Sequence, residues 1–171
     1  YSEPKVVSAD KKDKPRKSKI INSHRNMVIV DGYNLIYSDD NLKKTASYSL
    51  EKARDDLMNL LSNYVAYTKT ELVLVFDAYL VEDNKGTEFM HDGYKVVFTK
   101  ADQTADAYIE KLMYDLGPDY SIRIVTDDKL LQFSAVHSGI FRMTTKEFLE
   151  ELTRIGNEIT EFVRKLAECK N

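Results

Sequence analysis

The chain has 171 residues, of which 43% are hydrophobic and 31% are charged, and its formal net charge is −3. This length fits one domain with a single core, and the composition excludes collagen-like and wholly disordered proteins. No stretch approaches the roughly 20 consecutive apolar residues of a membrane helix, and no signal peptide is evident, so we expect a soluble, cytoplasmic protein.

Charge divides the chain near residue 26. Residues 1–26 carry eight Lys and Arg against three Asp and Glu, whereas residues 27–171 carry seventeen against twenty-five. We therefore predict a flexible basic N-terminal arm over 1–26 and one folded domain over 27–171. The arm either contacts RNA phosphates or is a solvated tail, and the second interpretation is favoured.

The first half of the domain alternates strand, helix and strand. Residues 27–31 form an apolar run that ends in an acid before Gly32, which predicts a buried strand and a turn. Apolar residues at helical spacing predict a helix over 50–66 with Ser49 as its N-cap. A second apolar run predicts a strand over 72–77.

The second half continues this alternation. Its predicted elements are a polar loop containing Gly86 and Gly93, a strand over 95–98, a helix capped by Thr104 and ended by Gly117-Pro118, a strand over 122–125, a short helix through Phe133 and Val136, a short strand over 139–143, and a long helix that begins at a capping box formed by Thr144 and Glu147. The alternation predicts an α/β domain with a mainly parallel sheet of four to five strands between two helical layers. We expect the last helix to pack on its own sheet in a monomer; a dimer or a ribosomal contact is the alternative.

Aspartates follow three of the predicted strands, at Asp31, Asp77 and Asp128. A single aspartate at such a position is usually a turn former or a helix cap. Three together favour a site, because open parallel sheets bind ligands beyond the C-terminal ends of their strands. Asp106 lies in the first turn of a predicted helix with Glu110 one turn later, so both are predicted to face the same region.

Clustered carboxylates either acquire raised pKa values or bind a cation. Oxygen ligands select Mg²⁺ or Mn²⁺, whereas the single cysteine and three scattered histidines offer no zinc-ligand spacing. Such a metal activates water against a phosphodiester in nucleases. Asp31 and Asp128 are the first candidate ligands, and Asp77 and Asp106 complete or orient the cage. Asn34 binds substrate or a metal-bound water, or is only a turn amide.

Several other classes of enzyme lack support. The chain has no Walker-type glycine loop, Gly-x-Ser-x-Gly elbow or His-Glu-x-x-His motif, which disfavours a nucleotide switch, a serine hydrolase and a zinc peptidase. A phosphate-accepting receiver domain requires paired acids after its first strand. Here that strand ends in the single acid of Asp31-Gly32.

Four motifs follow one another along the domain: Val30-Asp31-Gly32-Tyr33-Asn34, Val75-Phe76-Asp77-Ala78, Thr104-Ala105-Asp106 followed by Ile109-Glu110, and Val125-Thr126-x-Asp128. Their order and spacing resemble those of YacP-like NYN-domain proteins, relatives of the PIN-domain ribonucleases, from about Met27 to the last helix. The resemblance implies a PIN-like α/β/α fold and an endoribonuclease dependent on Mg²⁺ or Mn²⁺. Bacterial members of the family are associated with ribosomes and cleave messenger RNA during translation.

The resemblance also implies a set of site residues. The catalytic and metal-binding acids carried over are Asp31, Asp77, Asp106 and Asp128, with Asn34 and Glu110 as their neighbours. Glu110 is in addition a candidate metal ligand. Two features depart from the family: the basic arm has no counterpart, and Asp127 stands where a small hydroxyl residue is common. We expect this extra charge to alter metal affinity.

An acidic pocket needs flanking cations to hold RNA. The candidate phosphate contacts are Arg54, Lys100, Lys129 and Arg142, each of which is otherwise a solvated charge. The candidates for base stacking are Tyr33, Tyr37 and Phe133, each of which otherwise belongs to the core.

The clustered acids and the resemblance together predict a metal-dependent endoribonuclease, and the resemblance implies messenger RNA and the ribosome as its partners. The alternative is a noncatalytic RNA- or ribosome-binding module with the same fold. A phosphatase or phosphotransfer domain is a third class, which no feature of the sequence favours.

Overall fold

The structure, a computed structural model, describes residues 25–78 and 85–170. The first elements in chain order are β1 (Arg25–Asp31), α1 (Gly32–Ser38), α2 (Asp40–Ala46), α3 (Leu50–Thr68) and β2 (Glu71–Phe76). The later elements are β3 (Lys85–His91), β4 (Tyr94–Lys100), α4 (Ala105–Leu116), β5 (Tyr120–Val125), α5 (Lys129–His137), β6 (Phe141–Met143) and α6 (Thr145–Glu168). Arg25 and Asn26 begin β1, and the rest of the predicted arm lies outside the described residues, so the division of the chain near residue 26 stays a prediction.

The six strands of the described residues form one sheet in the order β3-β4-β2-β1-β5-β6. Neighbouring strands are parallel except for β3 and β4, which are antiparallel. β1 is one of the two central strands, and its Ile29 lies between Val73 of β2 and Ile124 of β5. The strand order reverses at β1, so a crevice is expected beyond the C-terminal ends of β1 and β5.

Helices cover both faces of this sheet. Val28 and Val30 of β1 point into a buried cluster with apolar residues of α3 and α6. Met27 and Ile29 point to the opposite face, into a second cluster with residues of α4 and α5. This alternation follows from the two-residue period of a strand and gives three layers, which confirms the predicted architecture.

The segment predicted as a polar loop instead contains β3, which pairs with β4 in a hairpin. Two residues, Asp92 and Gly93, connect the strands with φ angles of 46° and 85°. Positive φ at both positions matches the right-handed twist of a hairpin, and Asp-Gly is a favoured sequence for it. The sheet consequently has six strands where four to five were predicted.

The turn predicted after β1 is the first turn of helix α1. Asp31 is the N-cap, and its Oδ1 accepts a hydrogen bond from the backbone N–H of Asn34 at 3.3 Å. A Cβ atom at position 32 would lie 2.4 Å from Cε1 of Phe76, so only glycine permits this close approach of α1 to β2. Asn34 is therefore a residue of the first helical turn rather than a turn amide.

The predicted capping box of Thr144 and Glu147 begins α6. Phe148 and Ile155 in its first half are buried, whereas Phe162 in its second half is 54% exposed. The predicted packing on the sheet is thus confirmed for the first half alone. Neither α6 nor any other helix in the described ranges combines the length and apolar character needed to cross a membrane.

An ion pair joins α6 to the sheet. Arg123 of β5 donates to Oε2 of Glu151 at 3.0 Å and to Oε1 at 3.3 Å. The Tyr64 hydroxyl of α3 donates to the same carboxylate at 3.1 Å and accepts a bond from Arg123 at 2.9 Å. Three elements are held together by one compensated carboxylate.

Candidate active site

A cavity of about 510 Å³ opens at the C-terminal edge of the sheet. Its acidic lining consists of Asp31, Asp77, Asp106, Asp127 and Asp128. Two of these residues end or follow β1 and β2, one lies in the first turn of α4, and two follow β5. The structure thus brings the four predicted aspartates together, because parallel strands end at the same edge of a sheet.

Asp31 is the most buried of these acids, with 5% of its surface exposed. Its pKa is raised from 3.8 to about 7, with burial as the largest cause, and the hydrogen bond from Asn34 opposes this rise. The negative charges of Asp106, Asp128 and Asp77 contribute to the same rise, in that order. At neutral pH this carboxyl is therefore partly protonated in the metal-free protein.

Asp77 and Asp106 lie on either side of the start of α4. Thr104 caps this helix, its hydroxyl accepting from the N–H of Ala107 at 3.1 Å, and Oδ2 of Asp77 accepts from the N–H of Ala105 at 3.5 Å. Burial raises the pKa of Asp106, and the charges of Asp128 and Asp77 raise it further. The positive end of the helix dipole partly offsets this repulsion.

Asp128 is the N-cap of α5. Its Oδ1 accepts from the N–H of Leu131 at 2.8 Å, and its own N–H donates to the Thr126 hydroxyl at 3.1 Å. The cap fixes the carboxylate at the mouth of the crevice between β1 and β5.

The carboxylate of Asp127 is held by α6 and α1. Its Oδ1 accepts from the N–H of Thr145 at 2.9 Å, and its Oδ2 accepts from the hydroxyls of Thr145 at 2.5 Å and Ser38 at 3.2 Å. The positive end of the α6 dipole offsets its charge. Sequence reasoning missed this network, because no local pattern relates residues 38, 127 and 145.

Asn34 also takes a defined orientation. Its Oδ1 accepts a hydrogen bond from the backbone N–H of Asp127 at 3.0 Å. Since the oxygen is used in this way, the Nδ2 amide hydrogens are the groups that Asn34 offers to the cavity it lines. This placement suits the predicted role of Asn34 in binding substrate.

Glu110 does not line the acidic cavity. It accepts from the Ser134 hydroxyl at 3.4 Å and borders a different cavity, between α4 and α5. The predicted shared face with Asp106 is correct for the helix surface, but four residues place Glu110 about 6 Å further along an axis that leads away from the sheet edge. The structure therefore places Glu110 apart from the four aspartates with which it was predicted to share a metal site.

The four predicted phosphate contacts lie outside the cavity lining. Arg54 donates to the Tyr33 hydroxyl at 3.1 Å, and Arg142 donates to Oε1 of Gln132 at 3.4 Å. Lys100 ends β4 and Lys129 begins α5, and both are exposed. Lys129 follows Asp128 directly and is the cation nearest the acids along the chain.

Two of the three aromatic candidates are accessible to a base. Tyr37 is 48% exposed and Phe133 is 71% exposed. Tyr33 is only 7% exposed, and its ring packs on Phe76 with a centroid distance of 5.0 Å. The expectation that Tyr33 stacks on a base is therefore wrong, although the residue does line the cavity.

The donor set fits Mg²⁺ or Mn²⁺ in chemistry, but it does not form the predicted cage. Within residues 25–78 and 85–170, no group of three or more His, Cys, Asp or Glu side chains is arranged to hold a metal ion. The raised pKa of Asp31 nevertheless marks a place where a cation lowers the energy of crowded carboxylates. Mg²⁺ commonly takes one or two carboxylates and completes its shell with water and substrate phosphate, an arrangement that this cavity suits.

Comparison with known proteins gives consistent relatives. The sequence model of the YacP-like NYN domain matches residues 28–171. The protein YacP of Bacillus subtilis (strain 168) is 36% identical over 147 residues, which are 84% of this chain and 85% of that protein. The crystal structure of Rae1 (YacP) from B. subtilis is 34% identical with a TM-score of 0.73, covering 85% of this chain and 83% of that one. A tryptophan-to-leucine variant of Rae1 also has a TM-score of 0.73, with 33% identity and 84% of each chain covered.

Proposed function

Because this chain belongs to the YacP-like NYN domain family, whose fold is PIN-like, we propose that it is a metal-dependent endoribonuclease. NYN domains are generally nucleases. The observation that carries the proposal is the convergence of four aspartates on one cavity in which no described lining residue is Lys or Arg. Such uncompensated acids at a sheet edge are costly unless they bind a cation.

The proposed metal ligands are Asp31 and Asp128, and Asp77 and Asp106 bind or orient its water ligands. Bound there, Mg²⁺ or Mn²⁺ supplies Lewis-acid polarisation of water and of the phosphodiester. Asp31 is suited to be a ligand because burial and the neighbouring acids raise its pKa in the metal-free protein, and a cation relieves this repulsion. Asn34 donates from Nδ2 to a substrate oxygen, because its Oδ1 is held by the Asp127 N–H.

The proposed substrate is messenger RNA, with the ribosome as the partner that presents it. This part of the proposal rests on the family resemblance of the four motifs. The exposed Tyr37 and Phe133 support binding of single-stranded RNA, since aromatic side chains of this kind stack on unpaired bases.

The test is cleavage of translated and free messenger RNA with Mg²⁺, with Mn²⁺ or with EDTA. Asp31→Asn and Asp128→Asn should lower cleavage at least about a hundredfold while leaving the fold intact, because Asn also serves as an N-cap. The matched control is Asp55→Asn on the exposed surface of α3, which should cleave like the wild type.

Full activity of Asp31→Asn would refute the site. RNA binding without metal-dependent cuts, on or off the ribosome, would instead support the noncatalytic binding module.

A further inference from the structure

Tyr33 and Arg54 belong to a closed ring of four side chains behind the acidic cavity. Tyr33 packs on Phe76 at 5.0 Å, and Phe76 stacks on Phe98 at 5.3 Å. Arg54 completes the ring, since its guanidinium lies 5.8 Å from the Phe98 ring centre and donates to the Tyr33 hydroxyl at 3.1 Å. The four residues come from α1, α3, β2 and β4, so the position of the Tyr33 hydroxyl is fixed by four elements.

The hydrogen-bond chemistry of this ring fixes the direction of the Tyr33 proton. A guanidinium can only donate, so the Tyr33 oxygen is the acceptor in its bond with Arg54. A phenol hydroxyl retains one proton to donate, and no residue in the described part of the chain accepts it. The Asp77 carboxylate, which lines the cavity, lies within electrostatic range of this hydroxyl.

We propose that the Tyr33 hydroxyl donates a hydrogen bond to a phosphate oxygen of the RNA, and that Arg54 positions this hydroxyl from behind. This inference rests on the proposed function in taking RNA as the ligand. The guanidinium polarises the hydroxyl and brings positive charge towards a cavity otherwise lined by acids, and both effects favour an anionic oxygen. Arg54 therefore acts through Tyr33, in place of the direct phosphate contact expected from the sequence.

The experiment measures the Kd of a short fluorescein-labelled single-stranded RNA in the presence of Mg²⁺. All variants are made in the Asp31→Asn background, so that binding is read without cleavage. Tyr33→Phe removes the hydroxyl and keeps the ring packed on Phe76; it should weaken binding roughly tenfold. Tyr114→Phe is the matched control, because this tyrosine of α4 is 85% exposed and does not line the acidic cavity, and it should bind as the parent does.

A double-mutant cycle separates the proposed relay from an independent contact. Arg54→Met should also weaken binding roughly tenfold, and Arg54→Lys should restore part of the loss because it keeps a charged donor. The double variant Tyr33→Phe/Arg54→Met should bind no more weakly than the weaker single variant. Additive losses of roughly a hundredfold would show that Arg54 contacts RNA by itself and would overturn the relay.

A backbone-modified RNA tests whether the acceptor is a phosphate. Replacing its phosphates by neutral methylphosphonates should abolish the difference between the parent and Tyr33→Phe. A persistent difference would place the acceptor on a base or a sugar and overturn the assignment. Urea unfolding of Tyr33→Phe is measured in parallel, and a fold as stable as the parent is expected.

Binding and cleavage together distinguish the two proposals. In the wild-type background, Tyr33→Phe should raise KM roughly tenfold with a much smaller change in kcat. Unchanged Kd and KM in an active nuclease would overturn this inference and leave the proposed function standing. A tenfold loss of binding in a protein that never cuts RNA would support this inference and overturn the proposed nuclease function.

Discussion

Two poorly exposed carboxylates in the described part of the chain, those of Glu151 and Asp31, have opposite surroundings. Glu151 lies inside the layer between α3, α6 and the sheet, where Arg123 and Tyr64 supply hydrogen bonds to both of its oxygens. Asp31 lies at the end of β1, where the backbone N–H of Asn34 donates to it and three neighbouring carboxylates raise its pKa.

The comparison distinguishes a carboxylate that stabilises the fold from one that is available to bind a ligand. A carboxylate that is paired within the protein holds elements together and needs no ligand. A buried carboxylate that faces other carboxylates stores electrostatic energy, which a cation or a proton releases. We therefore expect binding of a cation in the acidic cavity to raise the stability of the protein.

The largest expected effect on stability comes from removing the negative charge of Asp31. Asp31→Asn should stabilise the metal-free protein at about pH 8, since asparagine keeps the N-cap and carries no charge. A rise in pKa from 3.8 to about 7 corresponds to roughly 4 kcal/mol, which is the ceiling for this gain. Urea unfolding with EDTA present measures this gain in the free energy of unfolding. A destabilised variant would contradict the claim that burial and the neighbouring acids make the charge of Asp31 unfavourable.

The pH dependence of this gain follows from the direction of the shift. The pKa of Asp31 is higher in the folded than in the unfolded protein, so the folded state binds this proton more tightly. The wild type should lose stability relative to Asp31→Asn as pH rises from about 4 to about 7, and the difference should then stay constant. Unfolding curves across this range test the slope, and parallel pH profiles would refute it.

Breaking the ion pair between Arg123 and Glu151 should lower the free energy of unfolding by about 3 kcal/mol. Arg123→Met removes the donor from Glu151, whose side chain is 16% exposed, and leaves a partly buried charge without its cation. The control is Arg154→Met, which breaks an exposed i,i+4 pair with Glu158 and should cost no more than about 0.5 kcal/mol. Equal losses in urea unfolding would mean that the two ion pairs are energetically alike.

The smallest expected effect is stabilisation by the metal itself. At ten times its Kd, Mg²⁺ should raise the free energy of unfolding by about 1.4 kcal/mol, because it binds the folded state alone. Asp128→Asn should reduce this gain. Arg123→Met should leave the gain unchanged, although this variant is less stable than the wild type. Thermal unfolding with Mg²⁺ and with EDTA measures both, and an equal gain in Asp128→Asn would remove this residue from the ligand set.

Elements buried on both sides were predictable from the sequence, and exposed ones were not. β1 and β2 are apolar runs because helices cover both faces of the sheet, and the run alone identifies them. β3 is largely exposed, so its sequence lacks a buried pattern. The Asp92-Gly93 pair was the available signal, since Asp-Gly between two short segments indicates a hairpin.

The candidate site also contains residues whose position the sequence predicts and residues whose position it does not. The four aspartates were predictable because chain topology alone brings strand ends and helix starts to one edge. The position of Arg54 was not, because its guanidinium rests on Phe98 and Tyr33, and these contacts exist only after β4 and α1 have packed. Helical periodicity predicts that Glu110 and Asp106 lie on the same side of α4. It does not predict that Glu110, one turn further along the helix axis, lies outside the acidic cavity.

Two of the site acids, Asp31 and Asp128, also cap helices, and this double use affects how the family can evolve. Asparagine serves as an N-cap nearly as well as aspartate, so one substitution can end the proposed chemistry without loosening α1 or α5. The proposed function therefore implies that one substitution can remove cleavage without passing through an unstable intermediate. A homologue with asparagine at these positions should retain the architecture while having lost the selection for catalysis.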